Sequence, residues 1–444
     1  MAFGLRFTAR TLDGEGSSEA CSEPRWPVLH SDLAAGTRSQ RGQMIMTLFA
    51  FVLYALVVPY IALMLVVIAA AVRPPAKPWS GATPPVSVII PAHNEEERLE
   101  GALATLAEQR YPGALEFVVV DDRSTDGTQR IIRRFRERDP RFKLVVVEEP
   151  SRRLAPKVNA VNLGIQAASG EIIMTSDADC LFPPDWVAET VSHFADDVAM
   201  VTGLVETTRK GEGSPLLHRF ETVDLLSLML TKRALLARGW QFASSANNQA
   251  YRRSAFDAIG GFGASGRAPS GDEDLLAQRM ARLQDGRIVF AEGAGTRVLS
   301  RPMPTLGALL NQRRRWVSRY RHVLHYQPHF LAGIVTLGLQ SVLLSAAIVA
   351  SVAVSQLAVY VLPLWAGKLA VEAWGMRIAT KQLDREDLWG WPVAAWAVLH
   401  PFFIASVVLW SLFQSGEWHA GAQGYRRRLV RRRLRQWRRL IPGV

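Results

Sequence analysis

The sequence predicts an α/β domain with a mostly parallel sheet joined to transmembrane α-helices, and three observations carry this. Short apolar β-type runs alternate with helical stretches between residues 86 and 175, the pattern of βαβ units. Three of these runs end in polar clusters, Pro91 to Glu95, Asp121-Asp122 and Asp177 to Asp179, at the strand ends where such sheets collect ligands. Charge-free stretches long enough to cross a bilayer lie on both sides of the domain.

Residues 1–41 are polar, rich in Ser, Gly and Arg and without a sustained period, and are expected to be a disordered leader. Met44 and Met46 stand just before the first span, so the natural start is expected there, which amino-terminal sequencing of the expressed protein decides. Residues 42–73 are read as a transmembrane helix, because no charge falls in 42–72 and a span needs about 20 residues. Its length and the Pro-rich linker at 74–85 set it apart from a cleaved signal.

The α/β domain is placed at 86–322. A buried strand at 86–90 leads into Pro91-Ala92-His93-Asn94-Glu95 and a helix to about Gln109. The next strand, 117–120, ends in Asp121-Asp122, with Ser124 or Asp126 available to cap an Arg-rich helix. A third strand follows at 143–147, a helix at 157–168, and a strand at 171–175 before Asp177 and Asp179, with Pro183-Pro184 barring continuation.

A carboxyl-side membrane region at 330–416 holds two or three helices, giving three or four spans in all. The charge-free block 330–367 is too long for one helix and is weakest at 351–356, with Pro363 beyond; another charge-free block covers 388–416. These spans are expected to lack buried charges, which speaks against a transport protein. The net charge of +12 is local: nine arginines lie between Arg426 and Arg439 in the basic tail, 417–444, leaving about +3 elsewhere. Val430, Leu434, Trp437 and Ile441 recur among them at helical spacing, so an interfacial helix on anionic lipid is favoured and nucleic-acid binding is not. Two cysteines, Cys21 and Cys180, give no disulfide framework.

Two carboxylates at the end of a buried strand, Asp177 and Asp179, are costly unless a cation or a hydrogen-bonding ligand meets them, and oxygen ligands of this kind suit Mg²⁺ or Mn²⁺. Taken alone, an acidic turn explains them. The polar run from Ser244 to Arg253 precedes a Gly-rich turn, and Asp272, Glu273 and Asp274 open a helix. Alone, that acidic start is a solvated amino-terminus favoured by the helix dipole. Gln312 to Trp316 lies on a basic helix before the membrane block, and alone is a juxtamembrane charge run.

Together and in this order, these elements resemble the membrane-embedded family 2 inverting glycosyltransferases. The closest in layout are the cellulose, chitin and hyaluronan synthases and the ceramide glucosyltransferase type. Val-Ile-Ile-Pro-Ala-His-Asn-Glu, ending at Glu95, is similar to the family's opening strand and nucleotide loop. Val-Val-Asp-Asp-Arg-Ser-Thr-Asp-Gly-Thr, around Asp122, resembles its uridine-contacting turn. Lys157-Val-Asn-Ala-Val-Asn162 looks like Lys-x-x-Ala-Leu-Asn, and Asp177-Ala-Asp179 the Asp-x-Asp signature. Asn248-Gln-Ala-Tyr-Arg252, Ser270-Gly-Asp272-Glu-Asp274-Leu and Gln312-Arg-Arg-Arg-Trp316 resemble three further motifs. Pro156 replaces the usual glycine before the lysine, and Gly271 an acid that often precedes the catalytic aspartate.

The resemblance implies a GT-A type, Rossmann-like catalytic domain and a metal-dependent hexosyltransferase. It implies Asp272 as catalytic base. Asp179 and Asp177 would hold the metal, Mg²⁺ or Mn²⁺, and Pro91, Glu95, Asp122, Lys157, Asp177, Gln312 and Arg315 the nucleotide sugar, with a UDP-sugar the preferred donor. Gln312 and Arg315 would cover the diphosphate from a mobile helix, while Trp316 and Asp274 face the acceptor. The expected acceptor is a lipid or lipid-linked glycan, and the expected place the plasma membrane, multi-pass, with the catalytic domain cytoplasmic. The competing readings are a processive polysaccharide synthase and, in another class, a non-catalytic membrane protein that binds sugar nucleotides or lipid.

Overall fold

The computed structural model describes residues 29–72, 81–208, 213–241, 244–263, 266, 272–283, 285–318 and 328–413. Most of the leader with Cys21, linker residues 73–80, Ser270 and Gly271, residues 319–327 and the basic tail lie outside the described residues. Helix α1 covers Leu29–Ala71. It starts before the apolar stretch, so residues 29–41, expected to be disordered, are helical; Leu, Ala, Arg and Gln there extend a helix already nucleated by the span.

The sheet follows from the apolar runs. Strands β1 (Val86–Ala92), β2 (Leu115–Asp121), β3 (Phe142–Val146) and β4 (Ile172–Thr175) pair in parallel in the order β3-β2-β1-β4. Between them run α2 (Leu99–Ala107), α3 (Thr128–Arg138) and α4 (Pro156–Ala167), close to the expected bounds, although α2 stops short of Gln109. Gln109 instead donates from Nε2 to the carbonyl of Pro183. Helix α3 has Gly127 as its N-cap residue. Asp126 accepts from the amide and hydroxyl of Thr128, while Ser124, the other capping candidate, accepts from Asn94 N.

Helix α5 (Trp186–Val191) leads to β5 (Val198–Gly203) and β6 (Val205–Thr207), and α6 (Pro215–Ala237) to β7 (Gln249–Arg252). Helices α7 (Arg253–Ala258) and α8 (Asp272–Met280) precede β8 (Arg287–Ala291), β9 (Val298–Ser300) and α9 (Leu306–Ser318). Strand β7 runs antiparallel between β4 and β5, and β5 pairs in parallel with β8, so the sheet is parallel except at β7. Strands β6 and β9 form a small separate pair.

Because side chains alternate along each strand, the sheet buries both faces. Val88, Ile90 and Val119 pack with α2 and Trp186 on one side, and Ile89, Val118 and Val120 with α4 on the other. Gly164 lets α4 lie close: a Cβ there would stand 2.4 Å from Ile89 Cγ2. The second apolar cluster does not stop at the domain, but continues through α6 into the membrane helices at Val67, Met376, Ala379 and Trp396.

Those helices are α10 (Pro328–Ala353), α11 (Ala358–Gln382) and α12 (Trp391–Phe413). With α1 they give four helices long and apolar enough to cross a membrane: Gly42–Ala71, Ala332–Ala353, Ser355–Gln382 and Trp391–Ser411. The block 330–367 breaks between α10 and α11, where its weakest point was read. Helix α11 corrects one expectation. It runs past the charge-free block and buries Lys368 and Glu372, 2.6 Å apart, because i and i+4 fall on one face and each neutralises the other. At the end of α1, the carbonyl of Ala71 accepts from Arg233 Nη1 at 2.6 Å and Gln382 Nε2 at 2.7 Å, so α6 and α11 satisfy a terminal carbonyl that the helix leaves open.

Glu116, on β2, ties three segments together. It accepts from Ser87 Oγ at 2.5 Å and from Ser169 N at 2.6 Å, and pairs with Lys143 Nζ at 2.5 Å. Burial pushes its pKa up, but Lys143, Ser87 and Ser169 outweigh this and lower it from 4.5 to about 2. A lowered pKa contributes stability above 4.5 that is lost as pH falls towards 2. We expect Glu116→Gln to cost about 2 kcal/mol at pH 7. Thermal unfolding as a function of pH checks this, and the gap to wild type should close in that acid window.

Candidate active site

Two loops at the carboxyl ends of β1 and β2 clasp each other. Asn94, in the left-handed region at φ 55°, accepts at Oδ1 from Thr125 N at 2.8 Å, and Glu95 N donates to Thr128 Oγ1 at 2.8 Å. Asn tolerates that backbone conformation better than most residues, and its amide oxygen fastens the turn. Pro91 lies within β1. Asp122 is buried beside Arg123, with Nε 2.8 Å from its Oδ1, and its own amide donates to Ala92 O.

The acid pair stands just past β4, which ends where Ser176 N donates to Ile89 O. Lys157 Nζ, from the first turn of α4, lies 2.5 Å from Asp177 Oδ1. Pro156 opens that helix at its first position, where no amide hydrogen is needed, so the residue found in place of glycine suits its location. Asp179 has its carboxyl pKa raised by burial first and by Asp177 second, against the pull of Lys157 and Arg98. Glu95 is raised by burial and then by Asp179. Acids that oppose one another's ionisation in this way form a site that a divalent cation would relieve, so Asp177 and Asp179 fit the metal role. Among the described residues no cluster of three or more His, Cys, Asp or Glu is placed to hold a metal.

Asn248 and Gln249 brace the strand end. Asn248 accepts from Trp186 Nε1 at 3.0 Å and donates to the carbonyls of Leu204 and Thr296 at 2.8 Å, and Gln249 Nε2 donates to Thr175 Oγ1 at 3.0 Å. Asp274 Oδ1 accepts from Ser244 N at 2.9 Å, so this carboxylate shapes the loop before β7. Asp272 is the first residue of α8, and its side chain lies outside what the structure describes.

Helix α9 is anchored by Arg313, whose Nε lies 2.8 Å from Asp224 Oδ2 of α6, while Trp396 Nε1 of α12 donates to the other oxygen at 3.4 Å. The guanidinium also covers the Trp316 ring, 4.1 Å from its centroid, so that ring face is already occupied. The sequence suggested a mobile covering helix, but this buried pair holds α9 against α6 and α12. A cavity of about 530 Å³ gathers Lys157, Asp177, Asp179, Asp274, Gln312, Arg315 and Trp316 along its wall. Pro91, Glu95 and Asp122 stand outside that lining.

Residues 87–260 match the model of glycosyl transferase family 2. This segment is a family 2 glycosyltransferase domain. Glycosyltransferase AglE of Haloferax volcanii is 32% identical over 157 residues, 35% of this chain and 49% of that protein. A poly-beta-1,6-N-acetyl-D-glucosamine synthase of Staphylococcus epidermidis is 27% identical over 248 residues, 54% of this chain and 55% of its own length. The chain thus matches about half the length of these relatives. A mannosyltransferase from Pyrobaculum calidifontis, solved with GDP-Man and Mn²⁺, superposes with a TM-score of 0.54 at 23% identity, covering 82% of this chain and 99% of that one. That similarity identifies the fold, and the glycosyltransferase domain is of the GT-A type.

Pro91, Glu95, Asp122, Lys157, Asp177 and Asp179 lie inside the matched glycosyltransferase segment, whereas Asp272, Asp274, Gln312, Arg315 and Trp316 follow it. Sequence reasoning missed the Asp224–Arg313–Trp396 anchor. Arg313 sits inside a quoted motif, but nothing in the order of residues pairs it with an aspartate 89 positions earlier.

Proposed function

We propose that the protein is a membrane-bound inverting glycosyltransferase that moves a sugar from a nucleotide-sugar donor, a UDP-sugar first, to a lipid or lipid-linked acceptor. The observation that carries this reading is the cavity, whose wall includes both the Asp177/Asp179 pair and side chains of the membrane helices. The GDP-Man and Mn²⁺ in the mannosyltransferase structure support a nucleotide sugar and a divalent ion here too. When bound at Asp179 and Asp177, such an ion supplies Lewis-acid neutralisation of the departing diphosphate. Lys157 adds a point charge to the same phosphates, and Arg315, on α9, adds a second cation. Asp122 and Glu95, on the clasped loops, border the nucleoside. Asp272 takes the proton from the acceptor hydroxyl as it attacks C1. Attack opposite the leaving diphosphate inverts the anomeric centre, and one carboxylate suffices.

Delivery of the acceptor from the bilayer fits a plasma-membrane enzyme with its catalytic domain in the cytoplasm. A second reading, processive polymer synthesis, is favoured by the poly-beta-1,6-N-acetyl-D-glucosamine synthase relatives. The test is nucleoside-diphosphate release by purified protein with Mn²⁺ or Mg²⁺ across UDP- and GDP-sugars, with and without membrane lipid extract. Lipid-stimulated release giving a single glycolipid is the expected result. A polymer ladder would establish the second reading, and no release under any condition would overturn both.

A further inference from the structure

Lys157 stands between two tasks. Its Nζ lies 2.5 Å from Asp177 Oδ1, so an ammonium already sits on one oxygen of the acid pair, and its charge reaches Asp179 as well. Other cations on the cavity wall are engaged elsewhere: Lys232 donates to Ser244 O and Ser245 Oγ, and Arg313 pairs with Asp224. Lysine is a point charge on a flexible four-carbon stem, and both partners of the Lys157–Asp177 contact are partly exposed, so the pair is open to exchange. The stem rises from the first turn of α4, a helix that begins without a side-chain cap. An open helix start of this kind favours an anion, and so does the ammonium.

A divalent ion on Asp177 would share its carboxylate with that ammonium, and two cations on one carboxylate oppose each other. A nucleoside diphosphate changes the balance, because its oxygens offer Lys157 charge-assisted hydrogen bonds of their own and release Asp177 for the ion. We propose that Lys157 is the resident counter-ion of the acid pair: it keeps a divalent ion off Asp177 until a nucleoside diphosphate draws its ammonium across, so that ion and diphosphate load together. The inference rests on the metal-dependent, nucleotide-sugar reading given above and adds to it an order of loading set by one side chain.

The test uses the full chain in detergent with Mn²⁺ as the probe. Bound ion is read from the loss of the free Mn²⁺ signal in electron paramagnetic resonance, with and without UDP, and a protein-free titration fixes the Mn²⁺–UDP complex. Wild type should bind Mn²⁺ weakly alone and more tightly with UDP. Lys157→Met should bind Mn²⁺ alone about tenfold more tightly than wild type, the effect that one neighbouring charge has on a carboxylate's hold on a cation, and UDP should tighten it by correspondingly less. Lys157→Gln makes the same measurement should the methionine variant fail to fold. Lys157→Arg keeps the charge and should bind Mn²⁺ alone as wild type does, a rescue that a purely structural role for the side chain does not predict. Mn²⁺ binding alone that is unchanged or weaker in the uncharged variants overturns the proposal, as does a UDP effect as large in them as in wild type. Either result, alongside UDP-dependent Mn²⁺ binding by wild type, removes the Lys157 role and leaves the transferase reading standing. No Mn²⁺ binding by wild type with UDP present overturns the metal-dependent reading and this inference with it.

Discussion

Asp272→Asn should lower sugar transfer by about a thousandfold while leaving nucleotide-sugar binding near its wild-type value. The amide keeps the size and much of the hydrogen bonding of the carboxylate but cannot take up the proton that the acceptor hydroxyl releases. General-base contributions of this kind are worth about a hundred to ten thousand in rate. Single-turnover transfer and calorimetric titration of donor, run side by side, separate the two effects. Near-normal turnover in the variant would remove Asp272 from the base role, and a parallel loss of donor binding would recast it as a binding residue.

Asp179→Ala should fail one step earlier. Burial and then Asp177 raise the pKa of Asp179, and the substitution takes away half of the acid pair proposed to hold the ion. Metal-dependent donor binding should be lost and transfer should fall by about a thousandfold, the equivalent of several kcal/mol of charge stabilisation. Donor titrations with Mn²⁺ and with EDTA check this: in wild type the two should differ, and in the variant they should coincide at the weaker value. A variant that binds donor as wild type does, with Mn²⁺ still required, would place the ion elsewhere.

The sheet was legible because its strands are buried on both faces and therefore read as unbroken apolar runs, from Val86 to Ile90 and from Phe117 to Val120. The candidate site clusters were legible for a related reason: in sheets of this kind ligands collect where the strands end. Strand β7 was harder to see. Its four residues are Gln-Ala-Tyr-Arg, with no apolar run, and it enters the sheet because Asn248 and Gln249 saturate the polar groups around it. Pairings across the chain left no local trace, so Arg313 read as one of three consecutive basic residues, while the i, i+4 spacing of Lys368 and Glu372, just past the apolar block, went unread. Both cations are held by an acid that the fold brings near, Asp224 from a distant helix and Glu372 one turn along the same helix.

The capped end of α1 settles a matter of position. Since Arg233 and Gln382 both hold the Ala71 carbonyl, the last turn of the first span is registered against α6 and α11 rather than left as a tether. The α/β domain and the first long apolar helix are then held together through the point where that helix ends. For the lipid-directed transfer proposed above, such a gauge of position would consist of two side chains and a carbonyl oxygen.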